Sequence, residues 1–459
     1  MNNNLGQIVL VKDINPGTSD GYTNNSYADD LIEFNDKLYF SADTEESGRE
    51  LFVSDGTAEG TQLLADLNPG TDNYGGNSSA PYGFIEFNNR LYFAATNEEN
   101  GRGLFVSNGT AEGTQLVSDI SPNNFIEFND RLYFSSGNSE IGVELFVSDG
   151  TTEGTQLLID LNAGEPYYVT FEGDQPASSF PRNFIEFNDK LYFIASDTET
   201  DRELFVSDGT AEGTQLLLDV NNSSANSSFF RGGGDADSRE FYEFVELFEF
   251  QDKLYFVADN GETGRELFVS DGTAEGTKLL VDLNPGVDGS DPTNFVEFNN
   301  KLYFAADNGE SGAELFVTDG TEEGTQLVAD INPGAGSSLS LAYFFSGIST
   351  AIIGYVDNNL TEFNDKLYFT ANNGENGSEL YVTDGTTEGT QLVEDINPAT
   401  EDDYYVKNGP QNLTVFGDEL FFTADNGETG RELFKLTFDN DSDDTVTLPA
   451  FRYASDEAS

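Results

Sequence analysis

The stretch NFVEFNNKLYFAADNGESGAELFVTDGTEEGTQLVADINPG, residues Asn294 to Gly334, decides the fold, because variants of it recur along the whole chain. Each variant contains a Phe followed three residues later by a charged residue and then by Leu, an aromatic residue and Phe. The leading Phe stands at Phe34, Phe87, Phe128, Phe187, Phe250, Phe298, Phe363 and Phe416. The tightest spacing, 41 residues from Phe87 to Phe128, is the length of one four-stranded propeller blade.

Each copy divides into four predicted strands, which we name a to d. In the copy that begins at Asn294 they are NFVEF, KLYFAAD, AELFVTD and TQLVADI. Asn-Asn follows strand a, Asn-Gly follows strand b and Asp-Gly follows strand c. These residues favour chain reversals because they tolerate positive φ. Strands a to c are apolar on both faces, as expected of a blade packed between two neighbours.

The first and last copies are incomplete in complementary ways. The eighth copy stops after strand c, and the chain begins with QIVLVKDINPG (Gln7 to Gly17), which has the pattern of strand d. We therefore predict an all-β fold, an eight-bladed β-propeller of four-stranded antiparallel blades, closed by an N-terminal strand that completes the last blade. The propeller is predicted to span residues 1–437, and residues 438–459 are predicted to form a flexible acidic C-terminal tail.

Composition limits the chemistry. The net charge of -64 arises from 84 Asp and Glu against 20 Lys and Arg. Such a charge disfavours nucleic acid and anionic membranes as partners and favours divalent cations. Cys and His are both absent, which excludes disulfides, thiol nucleophiles, His-dependent triads and ordinary zinc sites. No apolar stretch reaches the length of a membrane span, so we predict no membrane insertion.

The copies differ in length mainly between strand d and the next strand a. In a propeller these connectors emerge on one face together with the b-to-c turns, so the insertions build a single surface. We predict that it is a ligand-binding face formed by Tyr167, Tyr168, Phe171, Phe229, Phe230, Tyr343, Phe344, Phe345, Tyr404 and Tyr405. Other connectors add Tyr22, Tyr27, Tyr74 and Tyr82. Exposed aromatic rings suit stacking on sugars or burial against a protein; the alternative is a lid over the central channel.

The b-to-c turns carry a repeated group of oxygen-bearing side chains. The members are Asp259, Asn260, Glu262 and Glu266; Asp307, Asn308, Glu310 and Glu314; and Asp425, Asn426, Glu428 and Glu432. We predict Ca²⁺ binding at these turns, because calcium prefers oxygen ligands and adapts to varied geometry. The alternative is that Asn-Gly only makes the hairpin turn while the acidic side chains face water.

One pair of positions changes together. Seven copies have a Glu in strand a and a Lys or Arg four residues later, whereas the eighth copy has Val415 and Glu419. An unpaired buried charge is costly. We therefore interpret the two positions as charge compensation within a blade or across a blade boundary.

The stretch GRELFVSDGTAEGTQLLADLNPG (Gly48 to Gly70) resembles the bacterial repeat family named for its ELWxxDGT motif, with Phe or Tyr here in place of Trp. The resemblance covers most of the chain, in seven full copies and one split copy. It implies a β-propeller at an extracellular or cell-surface location, in a family that usually has no assigned biochemical role.

These features predict a non-enzymatic binding or scaffold propeller, secreted or at the cell surface, that binds a glycan or protein partner and takes part in adhesion. Near-equivalent blades favour multivalent binding, whereas an active site needs unlike residues at one place. Export would follow a leaderless route, since the N-terminus lacks a leader pattern; a cytoplasmic location is the alternative.

Two alternative functions stay open at this point. One is an intracellular scaffold. The other is a polysaccharide-acting enzyme, a glycoside hydrolase or lyase, that uses paired carboxylates. Its candidate residues in the long insertions are Glu165, Asp174, Asp235, Asp237, Glu240 and Glu243.

Overall fold

The protein is a ring of eight four-stranded antiparallel sheets, each with strand order a-b-c-d. The computed structural model describes residues 5–19, 22–72, 75–138, 140–163, 168–170, 173–198, 202–220, 247–334, 336–339, 360–398 and 409–438, with the backbone alone for 19, 22, 72, 168–170 and 173–175. The regular elements of these ranges are all β-strands. The predicted eight-bladed β-propeller is confirmed.

The blades of the first half of the chain have the following strands, in the order a to d. Blade 1 consists of Asp29–Phe34, Lys37–Thr44, Gly48–Ser54 and Gln62–Ala65. Blade 2 consists of Tyr82–Phe87, Arg90–Asn97, Gly101–Ser107 and Gln115–Ser118. Blade 3 consists of Asn123–Phe128, Arg131–Asn138, Gly142–Ser148 and Gln156–Ile159. Blade 4 consists of Arg182–Phe187, Lys190–Ala195, Glu203–Ser207 and Gln215–Leu218.

The second half contributes the other blades. Blade 5 consists of Leu247–Phe250, Lys253–Asp259, Arg265–Ser270 and Lys278–Val281. Blade 6 consists of Thr293–Phe298, Lys301–Asp307, Ala313–Thr318 and Gln326–Ala329. Blade 7 consists of Thr361–Phe363, Lys366–Asn372, Ser378–Thr383 and Gln391–Glu394. Blade 8 consists of Gln411–Phe416, Glu419–Asp425, Arg431–Thr437 and Gln7–Lys12.

Among the described residues, three short hairpins lie in the connectors. They pair Thr18–Ser19 with Tyr22–Thr23, Thr71–Asp72 with Gly75–Gly76, and Tyr168–Thr170 with Gly173–Gln175. None of the described ranges contains a helix long and apolar enough to cross a membrane.

The N-terminal strand closes the ring, as predicted. It pairs antiparallel with strand c of blade 8, with Gln7 opposite Thr437 and Leu10 opposite Phe434. Ile8 and Leu10 pack against the apolar cluster that contains Phe434. Closure therefore adds both hydrogen bonds and buried apolar surface, and it leaves no open strand edge between the first and last blades.

The apolar core lies between neighbouring blades. In one cluster, Tyr192 and Leu204 of blade 4 pack with Leu254 and Phe256 of blade 5. All four side chains are almost completely buried. A blade with two apolar faces cannot leave either face in water, so each blade requires a neighbour on both sides.

The a-to-b hairpins have the predicted geometry. Asn299 and Asn300 have φ values of 51° and 58°, and the equivalent pairs are left-handed in blades 1 to 7. Asn and Asp accept this conformation more readily than other residues with a side chain, which explains their recurrence at these turns.

The Asp-Gly-Thr turn between strands c and d joins neighbouring blades, a role that the sequence did not reveal. Gly272 of blade 5 has a φ of +87°, and its carbonyl oxygen accepts a 3.2 Å hydrogen bond from the hydroxyl of Tyr192 in blade 4. Asp271 holds the turn, because its Oδ1 accepts both the N–H and the hydroxyl of Thr273. The same Tyr-to-Gly bond joins blades 2 and 3 and blades 3 and 4.

The junction between blades 8 and 1 makes this contact with different residues. Blade 8 has Phe421 at the tyrosine position, and Lys435 donates instead to the carbonyl oxygen of Gly56 at 3.2 Å. Lys435 Nζ also lies 2.8 Å from Glu419 Oε2. The negative charge of Glu419 is thus compensated within blade 8 by Lys435. The sequence analysis had not identified this lysine.

Replacing Gly272 with Ala is expected to lower the free energy of unfolding by about 2–4 kcal/mol, through left-handed strain and close packing. The added Cβ would lie 2.6 Å from the Tyr192 hydroxyl. Gly334→Ala is the control for strain alone, because Gly334 has a φ of +112° and no atom within 4 Å of the added Cβ. Denaturant unfolding gives the free energy of unfolding of both variants. An equal decrease in the two variants would contradict a stabilising contact between Tyr192 and Gly272.

A buried glutamate in strand c holds the connector that follows the blade. Glu50 is fully buried. Its Oε2 accepts the N–H of Leu67 at 2.8 Å, and its Oε1 accepts the N–H of Ser79 at 2.7 Å. The Ser79 hydroxyl also donates to Oε2, at 2.5 Å. Leu67 and Ser79 lie near the two ends of the connector, so one carboxylate fixes both ends.

The glutamate of this connector clamp accepts an N–H at the start of the connector wherever the connector is long, and among the described residues of blades 1, 3, 5, 6 and 8 it also bonds to a serine near the far end. These glutamates are Glu50, Glu144, Glu203, Glu266, Glu314, Glu379 and Glu432. Blade 2 has Gly103 at this position, and only residues 119–122 separate its strand d from the next strand a. A connector this short needs no second attachment. Burial raises the pKa of Glu50, Glu144, Glu266, Glu379 and Glu432 to about 7.

These raised pKa values predict that the propeller is more stable near pH 5 than near pH 8. A carboxyl group with a raised pKa in the folded chain favours folding when protonated. The stabilisation is therefore complete below the ordinary value of 4.5 and is lost as the pH rises through about 7.

Thermal unfolding across this range tests the prediction, at a salt concentration that screens surface charge. Glu266→Gln is expected to make the pH dependence of Tm shallower, because it removes one buried titrating group. Glu262→Gln removes an exposed carboxylate of the same blade and is expected to leave the slope unchanged. An identical slope in both variants would show that the clamp does not titrate.

Candidate functional site at the channel mouth

The innermost strands surround a central channel. Strand a of blade 1 contacts strand a of blades 2 and 8, and the same holds for most neighbouring pairs around the ring. Each strand a begins on the face that also carries the connectors and the b-to-c turns. We call this end of the channel the channel mouth.

The first two residues of strand a depart from the repeat. In blade 1 they are Asp29 and Asp30; Asp30 has a φ of 54°, and the pairing register shifts before Ile32. The first residues in other blades are Tyr82, Asn123, Arg182, Thr293 and Gln411. Unlike polar residues therefore occupy equivalent positions around the mouth of a ring whose blades are otherwise alike.

Five side chains form what we call the channel-mouth cluster. They are Asp29, Asp30 and Tyr82 at the starts of strands a, and Arg49 and Arg102 in strands c. Asp29 Oδ1 accepts the N–H of Asp30 at 3.0 Å, and Asp29 Oδ2 lies 3.4 Å from Arg49 Nη2. The guanidinium carbon of Arg102 lies 5.0 Å from the centroid of the Tyr82 ring, within the range of a cation–π contact. The cluster spans blades 1 and 2.

Arg49 is held in place from several sides. Its Nη1 donates to the carbonyl oxygen of Tyr27 at 2.8 Å and to Asp43 Oδ2 at 3.2 Å. Its Nη2 donates to the Ser41 hydroxyl at 2.8 Å. These bonds fix the guanidinium beside Asp29.

The carboxyl group of Asp30 has a pKa raised from 3.8 to about 6. The main cause is loss of hydration, and the negative charge of Asp29 adds to it. The side chain reaches solvent, but the walls of the mouth surround it and replace part of its hydration shell. The N–H of Gly83 donates to Asp30 Oδ2 at 3.1 Å and acts in the opposite direction. Asp30 can therefore exchange a proton close to neutral pH.

Tyr82 interacts electrostatically with Arg102 and Asp30. Its hydroxyl donates to the carbonyl oxygen of Pro122 at 3.0 Å. Burial raises its pKa, Arg102 lowers it and the charge of Asp30 raises it again. The cluster thus offers two carboxyl groups, two guanidinium groups and a phenol within mutual influence.

The predicted ligand-binding face falls outside the described side chains. This applies to Tyr167, Tyr168, Phe171, Phe229, Phe230, Tyr343, Phe344, Phe345, Tyr404 and Tyr405. It also applies to the enzyme candidates Glu165, Asp174, Asp235, Asp237, Glu240 and Glu243. Of the additional connector aromatics, Tyr27 is 47% exposed and Tyr82 is partly buried. The choice between an open surface and a lid stays open.

The predicted calcium ligands have other partners. Asp259 Oδ1 accepts the N–H of Gly261 at 2.7 Å, and Asn260 Oδ1 accepts the N–H of Glu262 at 2.9 Å. Glu266 is buried in the connector clamp.

The other two turns repeat this arrangement. It involves Asp307, Asn308, Glu310 and Glu314, and Asp425, Asn426, Glu428 and Glu432. In the described part of the chain no group of three or more acidic side chains is placed to hold a metal ion. Calcium binding stays a prediction.

Sequence analysis did not identify Asp29, Asp30, Arg49 or Arg102 as site residues. The signal was present, because the first two positions of strand a vary among copies whose other strand positions are nearly constant. Recognising it requires the knowledge that these positions share one end of a channel.

Solved structures with propeller domains match the chain over most of its length. They include a prolyl endopeptidase (12% identity, TM-score 0.47, 88% of this chain and 54% of that one). A puromycin-hydrolysing peptidase from Mycobacterium tuberculosis has 12% identity, a TM-score of 0.44 and coverage of 86% and 57%. Oligopeptidase B from Leishmania major has 9% identity, a TM-score of 0.46 and coverage of 87% and 53%. The chain spans little more than half the length of these proteins.

These comparisons contradict the prediction of a non-enzymatic binding or scaffold protein. The solved propellers that the chain resembles belong to peptidases, which are enzymes. That prediction, and the related one that the chain is not an enzyme, are corrected accordingly. The likeness is one of fold, so no substrate, reaction or catalytic residue is carried over from these peptidases.

No protein-family model and no curated protein matches the chain. The resemblance to the ELWxxDGT repeat family therefore stays a prediction. The same holds for a glycan or protein partner, for a secreted or cell-surface location, and for the boundary between residues 1–437 and the tail 438–459, most of which lies outside the described residues.

Asp30→Asn is expected to raise Tm near pH 8 and to have a smaller effect near pH 4. The raised pKa means that ionised Asp30 disfavours the folded state, and this cost disappears as the group is protonated below about pH 6. Asn fits the left-handed backbone, because Asn124, Asn183 and Asn294 occupy the equivalent position.

Asp36→Asn, at the exposed a-to-b turn of the same blade, serves as the control and should show no such pH-dependent gain. A Tm difference for Asp30→Asn that does not change with pH would contradict the raised pKa.

Proposed function

We propose that this chain carries a hydrolase site at the channel-mouth cluster. One observation carries the proposal: two adjacent carboxyl groups with different environments meet guanidinium groups and a phenol at a single place in a repeated ring. Asp29 contacts Arg49, and Asp30 has a pKa of about 6. Carboxyl groups whose environments differ in this way can divide the roles of acid and base between them.

The proposed reaction uses both carboxyl groups. Protonated Asp30 donates its proton to the leaving atom as the bond to that atom breaks. Asp29, which contacts Arg49, takes a proton from the water whose oxygen forms the new bond. The proton then returns from Asp29 to Asp30 through solvent. Arg102 binds polar groups of the substrate, Arg49 holds Asp29 in position, and Tyr82 forms a wall of the site beside Arg102.

The test is hydrolysis of nitrophenyl glycosides and peptide anilides by the full chain. Asp30→Asn is expected to lower kcat by a factor of about 100 or more, as for loss of a general acid. The wild-type rate should fall as the pH rises through about 6, because Asp30 must be protonated. Asp36→Asn is the matched control and should retain activity.

Two results would overturn the proposal. One is full activity in Asp30→Asn. The other is no hydrolysis of either substrate class by folded wild-type protein over a range from about pH 4 to 8.

A further inference from the structure

Tyr27, in the connector that leads into strand a of blade 1, presents an aromatic ring to solvent. The residue is 47% exposed and has a φ of 43°. Its hydroxyl accepts a 3.3 Å hydrogen bond from Asn25 Nδ2, and its carbonyl oxygen accepts the bond from Arg49 already described. Hydrogen bonds therefore hold both the hydroxyl group and the backbone carbonyl group of Tyr27.

The fold does not require an aromatic residue at this position. Equivalent connector positions in other blades, each following a buried Ser, are also left-handed: Ala80, Phe180 and Asp291. Ala80 shows that a methyl group suffices there. A large side chain in the left-handed conformation adds backbone strain. The blade geometry does not require a large side chain at position 27.

Tyr27 adjoins the channel-mouth cluster through its backbone. It stands two residues before Asp29, and Arg49 contacts both residues. Arg431 of blade 8 also interacts electrostatically with Asp29. The exposed ring therefore belongs to a residue that adjoins Asp29 and Arg49 of the cluster.

We infer that Tyr27 is a stacking platform for a sugar ring and that the substrate of the channel-mouth site is a glycan. This inference rests on the proposed hydrolase function. An exposed aromatic face suits the apolar face of a sugar ring. Sugar hydroxyl groups both donate and accept hydrogen bonds, so one ligand can pair with Asp29 as an acceptor and with Arg102 as a donor.

Binding is tested with soluble neutral and acidic oligosaccharides and with peptides of matched length. Asp30→Asn serves as the hydrolysis-deficient background for calorimetry. Adding Tyr27→Ala is expected to weaken oligosaccharide binding by about tenfold, whereas Tyr27→Phe retains binding because the ring remains. Ala80 supports correct folding of the Ala variant.

Phe180→Ala is the matched control. Phe180 is 49% exposed and has a φ of 47°, but it precedes strand a of blade 4, away from the cluster. Its removal should leave oligosaccharide binding unchanged. Equal losses in Tyr27→Ala and Phe180→Ala would contradict a specific platform at Tyr27.

The outcomes separate this inference from the proposed function. Tyr27-dependent oligosaccharide binding without hydrolysis by the wild type supports the platform and overturns the hydrolase. Hydrolysis that is unaffected by Tyr27→Ala supports the hydrolase and overturns the platform. Binding of the peptides but of none of the oligosaccharides would overturn the glycan assignment.

Discussion

Each blade of this protein has two apolar faces, and neither face can be left in water without a large loss of hydrophobic stabilisation. Every blade therefore needs two neighbours, and a linear array would leave one face bare at each end. Pairing of Gln7–Lys12 with Arg431–Thr437 removes both ends at once. The Asp-Gly-Thr turns then lock blade to blade, as Gly272 does with Tyr192.

Repetition of the frame does not imply repetition of the chemistry. The strands and turns are nearly constant because each meets the same neighbours in every blade. The start of strand a is different, since a left-handed residue and a register shift set its backbone independently of side-chain packing. Side chains there are free to differ, and Asp29, Tyr82 and Arg182 do so. Near-equivalence of the blades was therefore poor grounds for predicting a non-enzymatic scaffold.

Acidic residues serve at least two structural purposes in this chain. Exposed carboxylates account for much of the strong net charge, whereas those of the connector clamp are buried and accept several N–H and hydroxyl hydrogen bonds. Glu50 shows the balance, because burial raises its pKa to about 7 while its bonds to Leu67 and Ser79 act against that rise. The effect of lost hydration on this pKa is larger than that of the hydrogen bonds. The free energy of folding therefore depends on pH through the connector clamp.

The sequence by itself determined the strands, the turns, the number of blades and the closing strand. These depend on local patterns: apolar runs, Asn-Asn and Asp-Gly turns such as Asn299-Asn300, and the complementary ends of the chain. Only the tertiary structure decided which acidic residues are buried and which meet at the channel mouth. Glu266 looks like a turn residue in the sequence but bonds to Leu283 in the connector, and Asp30 meets Gly83 of the next blade. The hydration and the electrostatic environment of a side chain depend on neighbours that are distant along the chain. The repeat pattern of the sequence does not specify those neighbours.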